Sequence, residues 1–182
     1  MAKKVTIVLA DGFEETEALA PADLLRRAGI EVTLLTINNE PKVTSSHKIT
    51  VIADSTLSAG FGDYDLIILP GGMPGTKNLF ACQPLTDELK RAYANGKRIA
   101  AICAAPMILG QLGMLRGRRA TAFPGFEQYL DGASAIGGQV VTDGPITTGI
   151  GAGAALDFGL ELISVLDSAD KAKQIAEAII MK

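Results

Sequence analysis

Residues 4–10 read KVTIVLA. The run is rich in β-branched residues and apolar on both parities, the mark of a strand covered on both faces. IEVTLLTI (30–37), YDLIILP (64–70) and RIAAIC (98–103) share the pattern, and the segments between them have helical spacing. DLLRRAG closes at Gly29 with Arg26 and Arg27 near the negative end of the helix dipole, and DELKRAYANG aligns Leu89, Ala92 and Tyr93 before closing at Gly96. Both glycines suit a left-handed C-terminal cap. Near the end, SADKAKQIAEAIIMK offers Ser168 as an N-cap, followed by an apolar stripe of Ala172, Ile175, Ala176, Ile179 and Ile180. Buried strands alternating with helices predict an α/β fold whose sheet is mostly parallel and carries helices on both faces.

Two stretches break the alternation. VTSSHKITVIAD (43–54) reads as a half-exposed strand, hairpinned with the segment before it, and QVVTDGPITTG (139–149) carries the hairpin signal Asp143-Gly144. At 182 residues and 48% hydrophobic content, the chain suits one core and is short for two, so a single domain over 1–182 is expected. Its 17 basic and 20 acidic residues form no block of like charge, which argues against nucleic-acid or anionic-membrane partners. No apolar run approaches the roughly 20 residues needed to span a bilayer. VTIVLA ends in Asp-Gly without a cleavage site, so it reads as a first strand and not as a secretory leader. With only Cys82 and Cys103 and no leader in view, a cytoplasmic setting with reduced thiols is expected.

Ligands of open parallel sheets bind beyond the carboxyl ends of the strands. Three such ends carry unusual residues: Glu14, Glu15 and Glu17 after the first, Gly71-Gly72-Met73-Pro74-Gly75 after the third, and Cys103-Ala104-Ala105-Pro106 after the fourth. A cysteine between a strand and a helix is presented on a sharp turn, as in a nucleophile elbow, and the helix N-terminus predicts a lowered thiol pKa. The competing reading is a packed core cysteine. Gly71 and Gly72 fit a backbone oxyanion hole or a plain turn, but the pattern is neither a Walker loop nor G-x-G-x-x-G. Glu14 and Glu15 read as dipole-favoured surface groups. Glu17 lies four residues before Pro21, where a kink could aim it inward, and burial beside Cys103 would raise its pKa and suit it to acid–base work.

ADGFEETEALAPADLLRRAGI, DLIILPGGMPG, IAAICAAP and GIGAGAALDFGLELI resemble, in this order, the ThiJ/PfpI superfamily, in the branch of the parkinsonism-associated protein deglycase. The resemblance implies a flavodoxin-like three-layer sandwich and a homodimer. It also implies Cys103 as an oxidisable nucleophile, Glu17 as its protonated carboxyl partner, and surrounding backbone N–H groups of Gly71, Gly72 and Ala104. The substrate would be a small aldehyde such as methylglyoxal or an early glycation adduct, with no cofactor and no metal. The alternative is a redox-sensing, protective or chaperone protein whose Cys103 oxidises to sulfinate. Where that branch often has histidine, this chain has Phe123, and Ala104 stands where protease-like relatives have histidine, so a peptidase ranks last. Class I amidotransferases want G-x-C-x-G and a late His-x-Glu pair, both absent. The one histidine, His47, reads as an exposed strand or loop residue, and Cys82 as inert packing inside a helix.

Overall fold

In the computed structural model, which describes residues 2–181, the four double-faced apolar runs are all strands. The chain runs β1 (Lys4–Leu9), α1 (Glu15–Arg27), β2 (Glu31–Thr36), β3 (Lys42–Thr44), β4 (Thr50–Ile52), β5 (Ser55–Thr56) and β6 (Leu66–Leu69). It continues through α2 (Gly75–Ala81), α3 (Gln83–Ala94), β7 (Arg98–Ile102), α4 (Pro106–Gln111), β8 (Arg119–Ala120) and β9 (Ser134–Ala135). Last come β10 (Val140–Asp143), β11 (Ile146–Gly149), α5 (Ala155–Leu166) and α6 (Ala169–Ala178). A seven-stranded sheet has the order β10-β11-β7-β6-β1-β2-β5, parallel throughout except for the β10–β11 hairpin.

The apolar parity of the strands builds two cores. Val5, Ile7, Leu9, Leu66, Ile68, Ala100 and Ile102 pack on one face against α1 and α5. Val8, Ile67, Leu69, Ile99 and Ala101 pack on the other, against residues of α2, α3 and α4. This is a helix–sheet–helix sandwich of the flavodoxin-like kind. Helices α1 and α5 approach closely because position 159 has no side chain: a Cβ there would lie 2.7 Å from Leu24 Cδ1 and 3.1 Å from Pro21 Cα. Gly29 and Gly96 take the left-handed conformation that ends α1 and α3, with φ of 82° and 68°.

Three expectations are corrected. Residues 43–54 are not one strand: the stretch turns back on itself and holds β4 and most of β3, while the expected pairing with the segment before it is confined to Lys42 opposite Ile52 and Ala53 N donating to Pro41 O at 2.8 Å. Cys82 sits at the junction of α2 and α3 instead of inside a helix, because Pro84 starts a new helix there. The C-terminal stripe is shorter than its spacing suggests: Ile175 is buried, but α6 stops at Ala178 and Ile180 is 81% exposed with φ 60°.

The chain leaves β1 for β2 on one side and returns through β6 on the other. That reversal opens a crevice at the carboxyl ends of β1 and β6, with β7 alongside. The three unusual strand ends meet there.

Candidate active site

Cys103 follows the last residue of β7 with φ 65°. Left-handed backbone costs a residue with a Cβ roughly 1–2 kcal/mol, so the neighbours must hold it. Cys103 N donates to Gly149 O at 2.9 Å, Phe123 N donates to Cys103 O at 2.8 Å, and Ala105 N donates to Ile102 O at 3.1 Å. The elbow geometry leaves the side chain half-buried at the crevice, with the amides of Ala104 and Gly72 turned to the sulfur.

Glu17 is fully buried. It lies on the same helical face as Ala18, Pro21, Ala22, Leu24 and Leu25, so ordinary periodicity carries it inward and no kink at Pro21 is needed. Gly71 N donates to Oε2 at 2.8 Å, the buried Oε1 has no hydrogen-bond partner, and the Cys103 thiol is the carboxyl's other neighbour. Burial pushes Glu17 up to about 7, against the pull of the Cys103 thiol and the Gly71 amide. The thiol is not lowered as expected. Burial first, and then the Glu17 charge, push it up to about 12, and the amides of Ala104 and Gly72 offset this only in part. Helix α4 is six residues long, a short dipole to set against a carboxylate in contact. The two groups titrate as a pair, whose first proton leaves near neutrality.

Gly71 is the wedge between them. A Cβ at 71 would lie 2.7 Å from Cys103 Cβ, 2.8 Å from Glu17 Oε2 and 2.9 Å from Ile102 O. Its N–H is engaged by Glu17, so of the three expected amides Gly72 and Ala104 face the sulfur and Gly71 faces the acid. Glu14 joins the loop to the helix: its N donates to Gly71 O at 2.9 Å, and its Oε2 accepts from Glu17 N at 2.7 Å as the N-cap of α1. A cavity of about 260 Å³ adjoins this loop, lined by Asp11, Thr44, Ser46, Lys48, Met73 and Pro74 among others.

The family model of the DJ-1/PfpI family matches residues 3–165. The chain belongs to that family. It is 38% identical to DJ-1 homolog B of Arabidopsis thaliana over 99% of its own length, but it spans only 42% of that protein. A Pyrococcus abyssi protein named a deglycase is 32% identical over 78% of this chain and 86% of its own. The solved structure of oxidized Toxoplasma gondii DJ-1 superposes with a TM-score of 0.94 at 39% identity, covering 98% of both chains.

Against this DJ-1/PfpI background, two features went unread in the sequence. Glu15 is no free surface group: its side chain is 13% exposed, and Oε1 pairs with His47 Nδ1 at 3.0 Å. Burial works against ionisation of Glu15, but hydrogen bonds from its backbone, His47 and Ser45 outweigh it and hold the carboxyl below the usual range. His47 lies exposed in the β3–β4 turn, as expected, and makes no pair with Cys103. Among the described residues, Glu14, Glu15 and His47 form a group whose ligand atoms lie within 4.8 Å of one another. Glu14 is engaged as a helix cap and Glu15 with His47, a sufficient account of the cluster as a tether between hairpin and helix. The second feature is Phe123, whose backbone anchors the Cys103 carbonyl although the residue is 48% exposed. Both contacts join residues far apart in the chain and leave no local pattern.

Proposed function

We propose that this protein is a cofactor-independent enzyme of the glyoxalase or deglycase type, converting methylglyoxal or early glycation adducts through Cys103. The observation that carries the reading is the buried Glu17, pushed up to about 7, against a half-buried thiol on a left-handed elbow. A base that is about half ionised at neutral pH suits repeated proton transfer. The similarity to the P. abyssi protein named a deglycase supports the same class.

Glu17 takes the thiol proton as Sγ bonds to the aldehyde carbon. The carbonyl electron pair moves to its oxygen near the Ala104 and Gly72 amides, and that oxygen regains the proton to give a hemithioacetal. Glu17 then removes the hydrogen from the same carbon and returns it to the neighbouring carbonyl carbon, through an enediol. The product is a lactoyl thioester on Cys103. Water cleaves the thioester, restoring the thiol and releasing lactate, so one methylglyoxal and one water give one lactate without a redox partner. A high resting thiol pKa makes proton removal by Glu17 part of the attack instead of a prior equilibrium.

We place the enzyme in the cytoplasm as a homodimer, for which the exposed Ile49 and Ile52 of the β3–β4 hairpin offer apolar surface. The test is lactate release from methylglyoxal by purified protein, with Cys103→Ser inactive. Equal turnover by that variant refutes the reading. A second reading, oxidation of Cys103 to sulfinate in a protective or sensing role, is favoured by one observation. The new oxygens would meet the Gly72 and Ala104 amides and a protonated Glu17.

A further inference from the structure

Phe123 is tied to the nucleophile's own residue, since its N–H holds the Cys103 carbonyl at 2.8 Å. The residue is 48% exposed, yet its ring has neighbours that hold it. Phe126 meets it edge to face at 6.4 Å between centroids and 77° between planes, and Tyr129 lies tilted against Phe126 at 5.8 Å and 57°. The ring also approaches Gly151, where an added Cβ would sit 3.4 Å from Cδ2. Gly149, two residues before, accepts the Cys103 N–H at 2.9 Å, so ring, turn and nucleophile share one frame. Across the elbow, the loop whose Gly72 amide faces the sulfur carries Met73, 38% exposed. Two exposed apolar residues are thus tied to the elbow through the backbone: Phe123 holds the Cys103 carbonyl, and Met73 follows Gly72, whose amide faces the sulfur.

We infer that Phe123 is a specificity-determining wall, with which the site takes α-oxoaldehydes bearing an aryl or other flat apolar substituent in preference to the methyl compound. This rests on the reading of Cys103 as a carbonyl-attacking nucleophile. In this proposal, with Sγ bonded to the aldehyde carbon, the substituent on the neighbouring carbon leaves the crevice on the side of Phe123 and meets its ring. A ring pre-held by Phe126 and Gly151 receives a flat substituent with little ordering cost, and a methyl group is too small to cover it. Aromatic pairs of this kind correspond to about two- to tenfold in discrimination.

The experiment compares kcat/KM for phenylglyoxal and methylglyoxal in the wild type, Phe123→Leu and Phe123→Ala. Thermal melting and the dimer–monomer equilibrium are recorded for each. The phenyl-to-methyl ratio is expected to fall about threefold or more in Phe123→Ala, and less in Phe123→Leu, which keeps apolar bulk. A ratio unchanged in both variants, or a dimer that dissociates with the ratio unchanged, overturns the inference; in the latter case the ring belongs to a contact with a second copy. In parallel, the rates at which N-phenylmaleimide and N-methylmaleimide label Cys103 are read by peptide mass spectrometry. If the wild type turns over neither aldehyde, the proposed activity fails. The labelling ratio then decides the wall alone: a fall of about threefold in Phe123→Ala supports it, and no fall rejects it.

Discussion

Replacing Glu17 with glutamine separates the reactivity of the sulfur from the catalytic competence of the site. In the wild type the thiol is pushed up to about 12, first by burial and then by the neighbouring carboxylate. Glutamine keeps the shape, its oxygen can still accept the Gly71 N–H, and its NH2 can donate toward sulfur. A unit charge at about 4 Å with an effective dielectric of about 20 is worth about 4 kcal/mol, or about three pKa units, as an upper bound. The remaining burial keeps part of the elevation, so the expected fall is between about one and three units. Iodoacetamide alkylation of Cys103, followed by peptide mass spectrometry across neutral to alkaline pH, should be about tenfold faster or more in Glu17→Gln at mildly alkaline pH. Methylglyoxal turnover should nevertheless fall about 100-fold or more, because the proton carrier is gone. Slower alkylation of the variant, with its titration moved upward, would refute the reasoning: it would mean that the wild-type proton rests on Glu17 and that the sulfur is the anion.

The same substitution changes how stability depends on pH. Glu17 is raised from 4.5 to about 7 in the folded state, so below 4.5 both states hold the proton and nothing is lost. As pH rises from 4.5 to 7 the unfolded chain ionises first, and the wild type loses up to about 3 kcal/mol that Glu17→Gln keeps, readable by urea unfolding at both ends of the window. Gly71→Ala would set a methyl 2.7 Å from Cys103 Cβ and 2.9 Å from Ile102 O. An expected loss of about 1–3 kcal/mol in urea unfolding, with turnover down about tenfold or more, checks the wedge, and a variant as stable and active as the wild type contradicts it. Mild peroxide should convert Cys103 to sulfinate and leave Cys82 thiol by mass spectrometry; equal oxidation of both would count against the second reading.

The sheet was legible because burial on both faces writes itself into every residue of a strand. KVTIVLA and RIAAI are too short for a buried helix, which leaves a strand covered on both faces as the regular structure that hides both parities. Cys103, Glu17 and the glycine pair could be singled out for the same reason, since each follows such a run. What local reading missed lies across the chain. Glu15 meets His47 only because the hairpin β3–β4 folds back onto the start of α1. The thiol was expected to fall because a helix begins at Pro106, a statement about neighbours in sequence, but burial of the sulfur at the packed sheet end comes first, and then the Glu17 charge, and both outweigh it. Ile180 continues an apolar period past the point where the helix has ended, and periodicity alone does not say where a helix stops.

Positions 17, 71 and 103 come from three strand ends that become neighbours only when β1, β6 and β7 have paired in register. Such distant pairings close late in folding, because each must first overcome the entropy of a long loop. A nascent, clipped or half-folded chain therefore carries an ordinary thiol with no acid beside it. The meeting of thiol and acid is thus a property of the completed sheet.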